Sequence, residues 1–169
     1  RDASGRIDQA FVGATATAAF SLIVVLLFAH FDPSAMAAGV YRHGAARIPP
    51  DEGKVLYYRD GKTASVAVFA SRDGVVSIAT NGKVDAGNQL RENAPPSADE
   101  VTMVMAAELP LLYHPDPKSA AVIGFGSGLS THTLLGDPGL ERVDTIEIEP
   151  AMVGGARAFG ERVQRAYED

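Results

Sequence analysis

The sequence predicts an α/β protein in three parts: an apolar N-terminal helix, a small antiparallel β unit, and the first half of a doubly wound domain. Three observations carry this. Residues 10–29 hold no charged side chain. Residues 54–87 contain the turn dipeptides Asp60-Gly61, Asp73-Gly74 and Asn81-Gly82 between apolar runs, as short strands require. Residues 119–167 read strand, glycine turn, helix, strand, helix, an order that argues for a parallel sheet. The expected division is a transmembrane helix region at 1–30, a linker at 31–53, a small β domain at 54–96 and a partial doubly wound domain at 97–169.

Composition narrows the partners. The 169 residues are 46% hydrophobic, carry a net charge of −6 and contain no cysteine. Thiolate metal sites and disulfides are therefore excluded. Acids and bases are interspersed, without the clustered basic face that a nucleic-acid site needs. His30, His43, His114 and His132 lack ligand-like spacing, so no metal is expected.

The stretch "AFVGATATAAFSLIVVLLFA", as a helix, spans about 30 Å, the thickness of a hydrocarbon core. Gly13, Thr17 and Ser21 lie four apart, as do Ala10, Ala14 and Ala18, which lets another membrane helix approach closely. A signal peptide is the alternative, since "SAMAAG" offers an Ala-x-Ala cleavage pattern. Against it, "RDASGRID" carries no net positive charge, and a retained membrane helix is the preferred reading. Arg1 and Arg6 on one side balance Arg42 and Arg47 on the other, so charge does not orient it.

The Ala-, Gly- and Pro-rich residues 31–53 read as a linker. In the β unit, Val66 and Val68 alternate with Ser65, Ala67 and Phe69, predicting three or four antiparallel strands with two different faces. After Pro95-Pro96, Ser97 or Asp99 caps a helix over 99–113, with Val101, Val104, Met105 and Leu109 as its apolar stripe. "HPDPK" connects this helix to a strand at 119–124, a helix at 127–136, a strand at 142–148 and a helix at 150–167.

The candidate site is the turn "GFGSG" with the acid that follows it. Gly124 permits a sharp exit from the strand, Gly126 leaves room for a ligand against the backbone, and Gly128 starts the next helix close to the sheet. About twenty residues on, the strand ends in Glu147 and Glu149. A carboxylate there accepts hydrogen bonds from the vicinal hydroxyls of a ribose. Glu147 is the preferred residue, because Pro150 opens the next helix and Glu149 is placed to cap it. The spacing G-x-G-x-G, with Leu129 where a third fingerprint glycine would stand, suits an adenosyl ligand without a pyrophosphate.

"LPLLYHPDPKSAAVIGFGSGLSTHTLLGDPGLERVDTIEIEPAMV" together with "NGKVDAG" resembles the spermidine synthase (polyamine aminopropyltransferase) family. The likeness runs over about 54–169 and is most specific at 109–150. Within the family it resembles the branch in which such a domain follows a membrane region. The resemblance implies a Rossmann-like, S-adenosylmethionine-methyltransferase-like domain. It also implies aminopropyl transfer from decarboxylated S-adenosylmethionine to a small amine such as putrescine. Gly124, Gly126, Ser127, Gly128 and Glu147 match the family's ligand-binding positions. Ser127 stands where the family usually has an aspartate, and Thr102, Met103 and Val104 replace a Tyr-His-Glu segment. The family's catalytic aspartate is expected beyond Asp169, so no catalytic residue is assigned. The chain, which opens on Arg1, is expected to be an inactive piece of a longer protein. Two other readings stay open: an S-adenosylmethionine-dependent methyltransferase-like domain, and a non-catalytic, membrane-anchored ligand-binding domain. The expected location is the inner or plasma membrane with the soluble part cytoplasmic. An unpaired edge on strand 119–124 favours homo-oligomers.

Overall fold

The computed structural model describes residues 9–50 and 53–168. Arg1, Arg6 and linker positions 51–52 lie outside the described residues. The chain divides into two units, Arg1–Asp32 and Pro33–Asp169, which are taken separately.

The first unit is helix α1, Gln9–Phe28. It has 20 residues, a mean hydropathy of 2.3 and no buried side chain, so it is long and apolar enough to cross a bilayer. Two of its hydroxyls are satisfied within the helix: those of Thr15 and Thr17 donate to the carbonyls of Phe11 and Gly13, each at 2.9 Å. A helix that closes its own hydrogen bonds suits an apolar solvent.

In the second unit, the stretch read as linker is partly helical. Two short helices, α2 (Pro33–Met36) and α3 (Val40–His43), occupy it. Ser34 and Ile48 exchange two backbone and side-chain bonds of 3.0 Å that close the segment into a loop. Ala37 and Ala38 are buried, and Gly39 backs so closely onto Gly82 that a Cβ there would stand 2.7 Å from the Gly82 carbonyl oxygen. Small residues gave this stretch the composition of a linker, but they are small because the β-sheet lies against them.

The sheet has four antiparallel strands in sequential order: β1 (Lys54–Asp60), β2 (Ser65–Ala70), β3 (Val75–Thr80) and β4 (Lys83–Gln89). Asn81 and Gly82 both take positive φ, 49° and 76°, as a tight hairpin turn between twisted strands requires. Gly61, by contrast, does not take a positive φ. A longer loop, residues 61–64, joins β1 to β2 and is closed by a 2.9 Å bond from the Gly61 amide to the Ala64 carbonyl.

Helix α4 (Ala98–Tyr113) follows, capped as a reciprocal box between Ser97 and Glu100. Its inward side is rotated from the expected stripe. Ala107 is buried and Met103 and Val104 pack on the core, whereas Val101, Met105 and Leu109 are exposed.

Strands β5 (Ser119–Ile123) and β6 (Arg142–Ile146) then pair in parallel around helix α5 (Leu129–Leu134). The expected helix over 150–167 is broken into α6 (Pro150–Ala156), a 3-10 segment Arg157–Val163 and α7 (Arg165–Glu168). The break falls at Gly160, whose φ of 56° and ψ of −134° lie outside any helix.

One core serves both the small sheet and the α/β region. Val66, Val68, Val76, Ile78 and Ala86 meet Phe125, Leu129, Met152, Ala156, Phe159 and Val163. Each large side chain so buried contributes roughly 1.5–3 kcal/mol. Gly154 and Gly155 let α6 sit tightly on the sheet: a Cβ at Gly155 would come within 3.1 Å of both Tyr57 and Val68. This packing brings β4 alongside the glycine turn.

Candidate ligand-binding site

The turn Gly124–Gly128 leaves β5 through three glycines with φ of 91°, 55° and 87°, a left-handed region that other residues rarely adopt. Space is decisive at Gly128, where a Cβ would stand 2.9 Å from the Phe125 ring. Phe125 is itself buried and meets Tyr167 edge to face, with ring centres 5.5 Å apart. The turn is therefore held by an aromatic anchor between its glycines. Helix α5 begins at Leu129 rather than at the expected residue 127.

Strand β6 ends at Ile146, two residues before the expected boundary, and the two glutamates beyond it diverge. Glu147 turns back to the glycine turn. Its Oε2 accepts from the Phe125 amide at 2.7 Å, and its Oε1 accepts from the Glu149 amide at 2.8 Å. One carboxylate thus braces the turn against the end of the neighbouring strand, with lone pairs left for further donors.

Glu149 turns the other way. It caps α6, accepting from the Ala151 amide at 3.0 Å, and also takes the amide and hydroxyl of Thr63, both at 2.8 Å. These donors, the Thr63 amide first, then Ala151 and the Thr63 hydroxyl, hold its pKa down to about 2 from the ordinary 4.5. Its role is to pin the β1–β2 loop to the α/β region. Gly61 passes so close that a Cβ there would collide with the carboxylate at 2.2 Å.

A cleft of about 950 Å³ opens in front of the turn, lined by Gly124, Phe125, Gly126 and Glu147. Strand β5 forms its floor, and Met103, Ala107 and Leu111 of α4 form an apolar wall. Asp85 and Ala86 of β4 close one side, while His114, Asp116 and Lys118 stand in the same lining. Of the residues expected from sequence, Gly124, Gly126 and Glu147 therefore meet at one surface. Ser127 and Gly128 stand behind it. Ser127 is fully buried, and its hydroxyl donates to the Met103 sulfur at 3.3 Å. Sequence reasoning missed Asp85, Ala86 and Phe125. The first two sit on a strand, 39 and 38 positions before Gly124, and nothing local in their spacing links them to the turn. Among the described residues there is no group of three His, Asp or Glu placed to hold a metal.

No family model matches the chain. Its sequence is 34% identical over 65 residues to the polyamine aminopropyltransferase of Thermoanaerobacter sp. strain X514, covering 38% of this chain and 24% of that protein. It is 39% identical over 62 residues to the polyamine aminopropyltransferase of Nitrosomonas europaea, covering 36% and 19%. Both matches are local, so the likeness is to one part of a polyamine aminopropyltransferase. The chain matches about a fifth to a quarter of the length of these curated relatives. Its fold is that of the spermidine synthases: the Thermotoga maritima enzyme superposes with a TM-score of 0.58 at 22% identity, over 69% of this chain and 38% of that one. A spermidine synthase solved with the transition-state analogue AdoDATO gives the same figures.

Proposed function

We propose that the cleft binds an adenosyl ligand, decarboxylated S-adenosylmethionine, and that the protein transfers the ligand's aminopropyl group to a small amine such as putrescine. The observation that carries this reading is Glu147. Its carboxylate stands at the end of a parallel strand, on the wall of a large cleft, and is fixed by the Phe125 amide 2.7 Å away. A carboxylate so held accepts the two hydroxyls of a ribose without reorganising. Gly124 and Gly126 offer backbone without side chains for the ligand to lie against, and Met103, Ala107 and Leu111 suit its apolar portions. Ser127 and Gly128 act from behind, shaping the turn. The aminopropyltransferase homologues and the AdoDATO-bound fold relative supply the ligand class.

In the proposed reaction, the acceptor's neutral nitrogen attacks the methylene beside the sulfonium. A C–N bond forms and the C–S bond breaks. The electron pair passes to sulfur, releasing methylthioadenosine, and the new ammonium gives up a proton to a base. The residues described here hold the donor, and none of them is assigned as that base. Helix α1 is proposed as a retained membrane anchor with the soluble unit on the cytoplasmic side. Intact-mass measurement on protein from native membranes should find the apolar run present, and a mature chain starting at Ala38 would contradict it.

The test is calorimetric titration of the purified chain, in detergent, with decarboxylated S-adenosylmethionine, S-adenosylmethionine and methylthioadenosine. Glu147→Gln should weaken all three by about 1.5–3 kcal/mol, the worth of a charge-assisted contact. Equal binding by parent and variant would remove Glu147 from the site.

A further inference from the structure

Strand β4 places two consecutive residues, Asp85 and Ala86, on the wall of the same cleft. In a regular strand neighbouring side chains point to opposite faces, and β4 departs from that pattern here. The pairing with β3 locates the irregularity. Ile78 faces Ala86 and Ala79 faces Val84, so Asp85 is the extra residue of a β-bulge. Bulges re-aim a side chain, and they concentrate beside active sites. The bulge also adjoins the turn: a Cβ on Gly126 would lie 3.8 Å from that of Ala86.

The other charges of the cleft have partners. Both oxygens of Glu147 accept backbone amides, and Asp116 is paired with Lys118 at 3.0 Å. Asp85 meets Lys83 at 3.5 Å, and Lys83 is a largely exposed side chain. An exposed pair of that kind is worth little and leaves the carboxylate free to exchange partners. Asp85 keeps 27% of its side chain accessible.

Taking the adenosyl reading as its basis, we propose that Asp85 is the residue that recognises the cationic end of the ligand and discriminates against a carboxylate there. Ser127, at the position where the resemblance implies an acid, cannot do so, since its hydroxyl is spent on Met103. Asp85 reaches the cleft from a different element and restores one negative charge to it. An ammonium group gains a charge-assisted contact at that wall. The additional carboxylate of S-adenosylmethionine meets like charge and loses affinity.

The experiment compares three probes on the full chain in detergent: methylthioadenosine, which is neutral, decarboxylated S-adenosylmethionine, and S-adenosylmethionine. Asp85→Asn should weaken the decarboxylated ligand about tenfold, leave methylthioadenosine within about twofold, and narrow the preference over S-adenosylmethionine. Asp85→Glu should recover part of the loss. Asp85→Asn binding the decarboxylated ligand as the parent does, with methylthioadenosine still bound, would overturn the role of Asp85 while sparing the adenosyl reading. Failure of the parent to bind methylthioadenosine or either donor would overturn both.

Discussion

Replacing Phe159 by alanine tests whether the small sheet and the α/β region are one cooperative body. Phe159 is 1% exposed and sits in the cluster that holds Val66, Val68 and Ile78 of the sheet with Met152, Ala156 and Val163 of the α/β region. Truncating a buried phenylalanine removes its transfer free energy and leaves a cavity, at a cost of about 3–5 kcal/mol. A domain of ordinary stability holds about 5–15 kcal/mol, so the substitution removes a large share. The midpoint of thermal unfolding should fall by roughly 10–20 °C for a unit of this size. Near-ultraviolet circular dichroism of the tyrosines, with the full chain in detergent, reports the transition without interference from α1 helicity. Leu112→Ala, at a side chain 78% exposed on α4, should stay within about 0.5 kcal/mol of the parent. A loss below about 1 kcal/mol for Phe159→Ala, or two separate transitions in the parent, would refute a shared core.

Two further expectations concern the site. Gly128→Ala forces a side chain into positive φ and against the Phe125 ring at 2.9 Å, so it should destabilise the unit by about 1–3 kcal/mol and weaken adenosyl binding in the same titrations. Glu149 has a pKa depressed to about 2, so its ionised form stabilises the fold above the ordinary value of 4.5 and that contribution is lost as pH falls towards 2. Urea midpoints of the parent and Glu149→Gln should therefore differ most at neutral pH and converge in acid, and a gap that widened in acid would have the wrong sign.

Local chemistry made much of this fold legible. Asn81-Gly82 announced its hairpin, Ser97 or Asp99 announced a helix after Pro95-Pro96, and the three glycines announced the sharp turn after β5, because each is decided by residues close in sequence. The misreadings share a different cause. Gly61 looked like a hairpin glycine, yet its requirement is set by Glu149, 88 positions later. The stripe of α4 was misplaced because Val101, Met105 and Leu109 are apolar but face outward, while the buried position is the small Ala107. Residues 31–53 were read as linker because the small side chains among them, which serve packing against the sheet, give the composition of a linker. Asp85 was hidden by a bulge, since alternation assigns it to the wrong face. In each case the deciding partner is tertiary.

The central claim is that an adenosyl ligand lies on the glycine turn against Glu147, and amide hydrogen exchange resolved by residue tests it most directly. Saturating decarboxylated S-adenosylmethionine should slow exchange at Gly124, Phe125, Gly126 and Glu149, and Glu147→Gln should abolish that protection at the same ligand concentration. Protection confined to another surface, such as the groove formed by Gln89–Ala94 with Ala158–Arg162, or no change anywhere, would contradict it.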